Sequence, residues 1–298
     1  MMFALLQALR PKQWTKNLLV FAGVVFSQHL GEPALVLRAF AGFVAFSLLA
    51  GSVYIINDLR DVEQDRHHPR KKLRPIASGR LSPTVAKIAV VPLVVIAITL
   101  AWWLGQAFTI TALIYLVVNF AYSSGLKHQV VLDVFLVALG FVLRAIAGVQ
   151  LLIPVAPETA ISPWLLVCTF FGALFLALAK RRREVTNAGD QAGRQRDVLK
   201  HYTPEMLDGM LLVSAATSLM SYALYTIWPA TVEKFHTEAL IATVPFVAYG
   251  IFRYLFLVRT AENTEDPSQV LLSDRPLAVC VLLYLATAVA IIYLRRLS

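Results

Sequence analysis

The sequence predicts an all-α, polytopic membrane protein with nine transmembrane helices. Three observations carry that prediction. The 298-residue chain is 58% hydrophobic and only 15% charged, where a soluble domain carries about a quarter charged residues. Its mean hydropathy is +0.67. The apolar residues lie in long Ala/Leu-rich blocks without strict alternation, which argues for helices that cross a bilayer and against a β-barrel.

A crossing helix needs roughly 20 mostly apolar residues. Nine blocks qualify, in order 16–29, 34–56, 84–104, 107–124, 131–152, 161–180, 206–228, 239–258 and 276–294. The first includes a polar lead-in and is short enough to tilt or to lie partly in the interface. The leading stretch MMFALLQALRPKQWTK does not read as a cleavable signal: its apolar run is short and its bases follow it. No low-complexity linker or soluble segment separates off, so one transmembrane domain over residues 1–298 is expected.

Lys and Arg set the orientation. The loop after the second span (57–83), the loop after the sixth (181–205) and the N-terminal stretch hold most of the bases. Only Arg38, at the start of the second span, Lys234, Arg295 and Arg296 are assigned to the other side. The basic side is therefore expected in the cytoplasm, with the N-terminus inside and the C-terminus outside, in the cell membrane. The net charge of +9 is in part this insertion signal and does not argue for nucleic acid. Both long basic loops lie on the same side, which hints at a distant internal duplication, without a residue-level repeat. Cys168 and Cys280 sit in apolar blocks and read as packing residues, with no disulfide framework or zinc spacing.

Chemistry concentrates where the second span stops. There the chain reads NDLRDVEQDRHHPRKKLRP, residues 57–75. If the helix continues past Ile56, Asp61 lies about 40° round from Asn57, Asp65 about 80° and Asp58 about 100°. These four oxygen-bearing side chains share a face that Glu63 does not. Like charges on one face repel. Either the downstream bases pair with them in a solvated helix end, or a divalent ion binds. Hard oxygen donors suit Mg2+, which shares phosphate oxygens with a substrate. Bases such as Arg66, Lys71 and Arg74 would then meet the remaining phosphate charge.

Asn57-Asp58-x-x-Asp61-x-x-x-Asp65 followed by Arg74-Pro75-x-x-x-Gly79 resembles the first aspartate motif of the UbiA superfamily of membrane prenyltransferases. The resemblance implies nine helices around a central cavity open to the cytoplasm and to lipid, Mg2+ as cofactor, and Asn57, Asp61 and Asp65 as its ligands, with Asp58 beside them. The stretches LRPKQWTKN (9–17), DRHHPRKKLRPIASG (65–79), YSSGLKHQVVLD (122–133), LRAIAG (143–148) and DRPLAV (274–279) are together similar to the decaprenyl-phosphate phosphoribosyltransferase branch. That branch transfers 5-phosphoribose from phosphoribosyl pyrophosphate (PRPP) to a polyprenyl phosphate and releases pyrophosphate.

Other UbiA prenyltransferases carry a second motif, D-x-x-x-D, after the sixth span. Here AKRRREV (179–185) stands in its place, with Asp190 and Asp197 at the wrong spacing. Basic residues there fit a substrate with an extra phosphate, and Lys180 and Arg181, nearest the membrane, are the candidates. For Arg182 and Arg183 a stop-transfer cluster is an equal alternative. Arg144 lies eleven residues past Asp133, roughly 16 Å along a helix. A charge so deep faces a cavity or a structural partner. Arg253, nearer the cytoplasmic end, can snorkel. Lys16 and Asn17 open the first span beside Trp14, as substrate groups or as interfacial anchors. Tyr122 and Lys127 match the branch's Tyr-x4-Lys pattern, and Tyr202 resembles a tyrosine of its later loop. His67 and His68 point about 100° apart on a helix and do not make a metal pair.

The expected enzyme thus transfers phosphoribose, with PRPP, polyprenyl phosphate and membrane lipid as partners and a product used in cell-envelope synthesis. The sequence leaves open whether it forms a homo-oligomer. Two rivals stand beside it. An aromatic prenyltransferase would use a polyprenyl diphosphate donor, against which the missing second motif argues. A lipid or anion transporter would expose polar groups on both faces, against which the one-sided charge argues.

Overall fold

The computed structural model describes residues 2–67, 71–157, 159–188, 197–260, 270 and 273–294. His68, Arg70, Asp190, Arg194, Arg196, Arg295 and Arg296 lie outside the described residues. The described residues form helices and connecting turns, without a strand. Among them twelve α-helices follow in order: α1 (Met2–Ala8), α2 (Ala22–Phe26), α3 (Pro33–Arg60), α4 (Val62–His67), α5 (Pro83–Leu104), α6 (Gln106–Ser124), α7 (Leu132–Gln150), α8 (Pro163–Ala188), α9 (Pro204–Ile227), α10 (Pro229–Phe235), α11 (Val244–Thr260) and α12 (Arg275–Leu294).

Eight of the described helical segments are long and apolar enough to cross a membrane, and the protein is a multi-pass membrane protein. They correspond to the second through ninth expected spans. The first expected span differs in kind: residues Pro11–Phe21 form a 3-10 helix that continues into the five residues of α2. A 3-10 helix rises about 2.0 Å per residue. The combined segment is therefore roughly 30 Å long, about the thickness of the hydrocarbon core. It is not among the eight candidate crossing helices.

The chain forms two compact units. The first comprises residues 1–125 and 143–161, the second residues 126–142 and 162–298. In the first, α3 has 28 residues and is about 42 Å long, so its last turns can project beyond the apolar core. Its partner α5 buries small side chains, Ala86, Ala97 and Ala101, while Ile88, Val91, Val95 and Trp102 stay exposed on a lipid-facing side, the pattern expected of helices that meet through small residues in a bilayer. The α5–α6 reversal is made by Gly105 alone, at φ +135. On the same end, Arg38 donates to the carbonyls of Leu104 (2.5 Å) and Leu151 (3.1 Å), satisfying carbonyls left over at helix ends.

α1 positions the acidic end of α3. Ala4, Ala8 and Leu9 pack with Ile55, Ile76, Leu81 and Ala86. Arg10 then takes the left-handed region, φ 51°, ahead of Pro11, which turns the chain into the 3-10 segment. Arg80 ties the following loop down by donating to Gln7 Oε1 at 2.8 Å and the Leu73 carbonyl at 2.6 Å.

In the second unit α8 and α9 pack along their length around Leu174, Phe175, Leu178, Leu207 and Leu211, and α11 joins them through Tyr254 and Leu257. Thr203 caps α9 by accepting from the Met206 amide. α8 does not end with the sixth expected span at residue 180. It runs on to Ala188, so the basic cluster 180–183 stands on a helix and not in a loop. Arg and Glu are good helix formers, and Glu184 bonds Lys180 and Arg181 across one turn.

The 3-10 segment and α2 meet α7 backbone to backbone. A Cβ on Gly148 would lie 2.2 Å from the Val20 carbonyl oxygen, and one on Gly23 would lie 1.8 Å from the Gly148 carbonyl oxygen. Gly148→Ala is expected to cost about 1–3 kcal/mol, the usual penalty for overpacking. A lowered thermal midpoint in detergent checks this; an unchanged midpoint would mean that the segment can back away.

Candidate active site

The acidic face exists as the spacing predicts. α3 ends at Arg60, Asp61 sits at φ −97°, ψ 11°, and α4 follows at once. The amide of Asp61 donates to the Asn57 carbonyl at 2.9 Å and that of Asp65 to the Asp61 carbonyl at 2.8 Å. The i, i+4 register of Asn57, Asp61 and Asp65 therefore survives the junction. Asp58 and Asp65 are buried, Asn57 and Asp61 half-buried, and Glu63 exposed. Glu63 instead accepts from Arg66 at 2.8 Å, an exposed i, i+3 pair, and His67 bonds the Glu63 carbonyl. Lys71, half-buried, opens the next short 3-10 turn.

Two arginines converge on the buried acids. Arg10 and Arg74 both reach Asp58 Oδ1, at 2.5 and 3.1 Å, and Arg74 also reaches Asp65 Oδ2 at 2.6 Å. Arg10 lies over the Tyr54 ring at 4.7 Å. Burial draws the Arg10 guanidinium pKa down, while the Asp58 carboxylate pulls it back up. Asp58 Oδ2 is buried and has no hydrogen-bond partner among the described residues. Sequence reasoning assigns Arg10 no role. The available signal is an arginine directly before a proline, which forbids a plain helical continuation.

Arg144 is buried in the first unit, 5% exposed. It donates to Asn17 Oδ1 at 2.7 Å and to the Tyr115 hydroxyl at 2.8 Å. Asn17 in turn donates to Ser47 at 3.0 Å. Both of these partners of Arg144 are neutral. Lys16 is half-buried beside Asn17, and Tyr122 is half-buried in the last turns of α6.

In the second unit the centre is Asp133, in the first turn of α7 and fully buried. Its Oδ2 accepts from Arg181 Nε at 2.7 Å and its Oδ1 from the Tyr202 hydroxyl at 2.8 Å. Arg181 also pairs with Glu184. Burial pushes the Tyr202 hydroxyl pKa up to about 12, which keeps it a donor at neutral pH. Next along α8, Arg182 pairs with Asp208 at 2.5 Å, and Arg259 approaches the same acid. Lys180 is exposed, and Lys127 is half-buried in a 3-10 turn, Leu126–His128. Arg253 does not simply snorkel: it grips Asp274 through both oxygens, at 3.2 and 2.7 Å, and that bond holds the Asp274 pKa down. Sequence reasoning likewise assigns Asp133 no role; an acid opening an otherwise apolar block is its one signal.

Among the described residues no three carboxylate, imidazole or thiol groups converge as a preformed metal cage. Mg2+ needs none, because it is bound through one or two carboxylates plus waters and substrate phosphate. The hard oxygens of Asn57, Asp61 and Asp65, beside the unpartnered Asp58 Oδ2, fit an ion of that kind.

The model of the UbiA prenyltransferase family matches residues 17–274 of the chain. A decaprenyl-phosphate phosphoribosyltransferase from Mycolicibacterium smegmatis is 34% identical, over 97% of this chain and 92% of its own. One from Corynebacterium glutamicum is 35% identical, over 97% and 87%. The structure of a UbiA homolog from Archaeoglobus fulgidus bound to GPP and Mg2+ has the same fold, with a TM-score of 0.73 at 21% identity, over 97% of this chain and 99% of that one.

Removing the shared acid should expose how far the two arginines depend on it. Asp58→Asn is expected to cost about 2–3 kcal/mol, below the full value for a buried pair because both arginine side chains remain 27% exposed. Adding Arg10→Gln should return part of that loss. Urea or thermal unfolding in detergent measures both; equal losses in single and double variants would mean that repulsion between the arginines is negligible.

Proposed function

The chain belongs to the UbiA prenyltransferase family, and from that premise we propose that it transfers 5-phosphoribose from PRPP to a polyprenyl phosphate of decaprenyl type, releasing pyrophosphate. The observation that carries this is the likeness to decaprenyl-phosphate phosphoribosyltransferases over nearly the whole chain. The basic end of α8, where a second aspartate motif would hold a prenyl diphosphate, supports the same reading.

Asn57, Asp61 and Asp65 would hold Mg2+ on the pyrophosphate, where it supplies Lewis-acid neutralisation of the leaving charge. Asp58 anchors Arg10 and Arg74 beside that group. Arg74, which reaches Asp58 and Asp65, is the first candidate for the diphosphate charge, with Lys71 and Arg66 as further candidates. Lys16, Asn17, Tyr122 and Arg144 of the first unit, and Lys127 and Lys180 of the second, are the candidates for the remaining phosphates, while Arg181 and Tyr202 are held on Asp133. The lipid phosphate attacks C1 of ribose from the face opposite the pyrophosphate: its oxygen forms the new bond as the C1–O bond to pyrophosphate breaks. That oxygen is already anionic near neutral pH, so no general base is required. Fixed cations stabilise the charge as it moves to the leaving group.

The one-sided Lys/Arg distribution supports a cytoplasmic N-terminus and a cytoplasmic site, with the C-terminus outside. A soluble phosphorylated sugar donor then meets the site from the cytoplasm, and the prenyl tail stays in the bilayer. The product would enter cell-envelope precursor synthesis.

The test is purified protein with radiolabelled PRPP, polyprenyl phosphate and Mg2+, with EDTA as control. Label should enter the lipid only with the metal present. Label that stays in water while a polyprenyl diphosphate donor prenylates an aromatic acid would overturn the reading. Asp61→Ala and Asp65→Ala should each abolish turnover in protein that remains monodisperse and helical, and full activity in either removes the metal role. Arg144→Ala should weaken substrate binding more than stability; a chain that only unfolds would make Arg144 a purely structural group.

A further inference from the structure

We infer that Tyr202 and Asp133 are positioning residues for Lys127: their buried hydrogen bonds fix the turn that carries it. This rests on the phosphoribosyl-transfer reading, in which Lys127 meets a substrate phosphate.

The turn is built from short contacts and one strained residue. After the 3-10 turn Leu126–His128, Gln129 N–H donates to the Leu126 carbonyl at 3.1 Å and Leu132 N–H to the Val130 carbonyl at 2.8 Å. Between them Val131 sits at φ +68. A β-branched residue in the left-handed region is an outlier, and such a conformation persists only where its surroundings hold it.

The holding group is the Tyr202 hydroxyl, which accepts from the Val131 amide at 2.7 Å. The same hydroxyl donates to Asp133 Oδ1 at 2.8 Å, and Arg181 Nε donates to Asp133 Oδ2 at 2.7 Å. The path leaves the chain at Val131, passes through Tyr202 and returns two residues later at Asp133. Asp133, Tyr202 and Arg181 are 0%, 3% and 4% exposed, so water does not compete for these bonds. A substrate phosphate cannot displace them without unpairing a buried carboxylate. Tyr202 and Arg181 therefore act on substrate through Lys127, whose side chain is half-buried and closer to solvent. A packing role alone would need the Tyr202 ring but not its hydroxyl.

The test uses the full chain in detergent, as wild type, Tyr202→Phe, Lys127→Gln and the double variant. Tyr202→Phe should speed amide hydrogen exchange over residues 126–133 by roughly three- to tenfold, the loss of one net hydrogen bond. It should raise the KM for the phosphorylated substrate more than it lowers kcat. Combined with Lys127→Gln it should add no further loss, because the two act as one unit. Unchanged exchange, or losses that add, would overturn the proposal. Should Tyr202→Phe not fold, Asp133→Asn takes its place with the same measurements, and the same results support or overturn the proposal. A wild type that transfers no phosphoribose overturns the reading of the reaction instead. The tether is then decided with inorganic phosphate as the probe: non-additive losses of affinity support it, and additive ones or none overturn it.

Discussion

The first unit depends on one carboxylate. Asp58, 1% exposed, lies at the end of the 28-residue α3 and takes two guanidinium groups, one from just before the 3-10 segment and one from beyond α4. Burying an ion costs several kcal/mol unless partners compensate. Here the partners come from chain positions 48 and 16 residues away, so compensation is only available when α1, the 3-10 segment and the 71–80 loop are all in place. The ion pairs contribute less to net stability than to arrangement. They fix which way Arg10 leaves α1, hold it in a left-handed conformation, and set Arg74 between Asp58 and Asp65.

That arrangement explains why the acidic face can be so crowded. Asp58 and Asp65 would repel along one helix face, and Arg74 bridges them at 3.1 and 2.6 Å. Asn57 and Asp61, on the same face, are half-buried. Asp58 and Asp65 are thus the buried acids that hold arginines and Asn57 and Asp61 the more open oxygen donors, with one Asp65 oxygen on Arg74. On the proposed reading this is what a diphosphate with its metal requires: oxygens for the ion and cations close by for the phosphate.

Local features are legible in the sequence, and long-range ones are not. The i, i+4 register of Asn57, Asp61 and Asp65 follows from helical geometry alone, and the backbone bonds of Asp61 and Asp65 keep it. Eight spans follow from apolar length. The stretched form of Pro11–Phe21 is hidden: the segment packs backbone to backbone against Gly148, a residue far along the chain. The continuation of α8 through 180–188 runs against the use of charge as a loop signal: Arg, Lys and Glu at i, i+3 and i, i+4 favour helix. Asp133, Arg181 and Tyr202 meet across separations of 48 and 69 residues, which no local pattern encodes.

The fixed pairs also separate two uses of positive charge that composition cannot tell apart. Lys and Arg number 27 against 18 acids, a surplus of +9 that no internal carboxylate can neutralise one for one. Arg10, Arg74, Arg181, Arg182 and Arg253 are committed to acids of their own unit, so their geometry is set by packing. A topology signal needs only the sign of the charge on one side of the bilayer; it places no demand on burial or on bidentate contact. Arg181 and Arg253 therefore have a structural requirement beyond insertion, whereas an exposed base such as Lys180 can serve insertion and anion binding together.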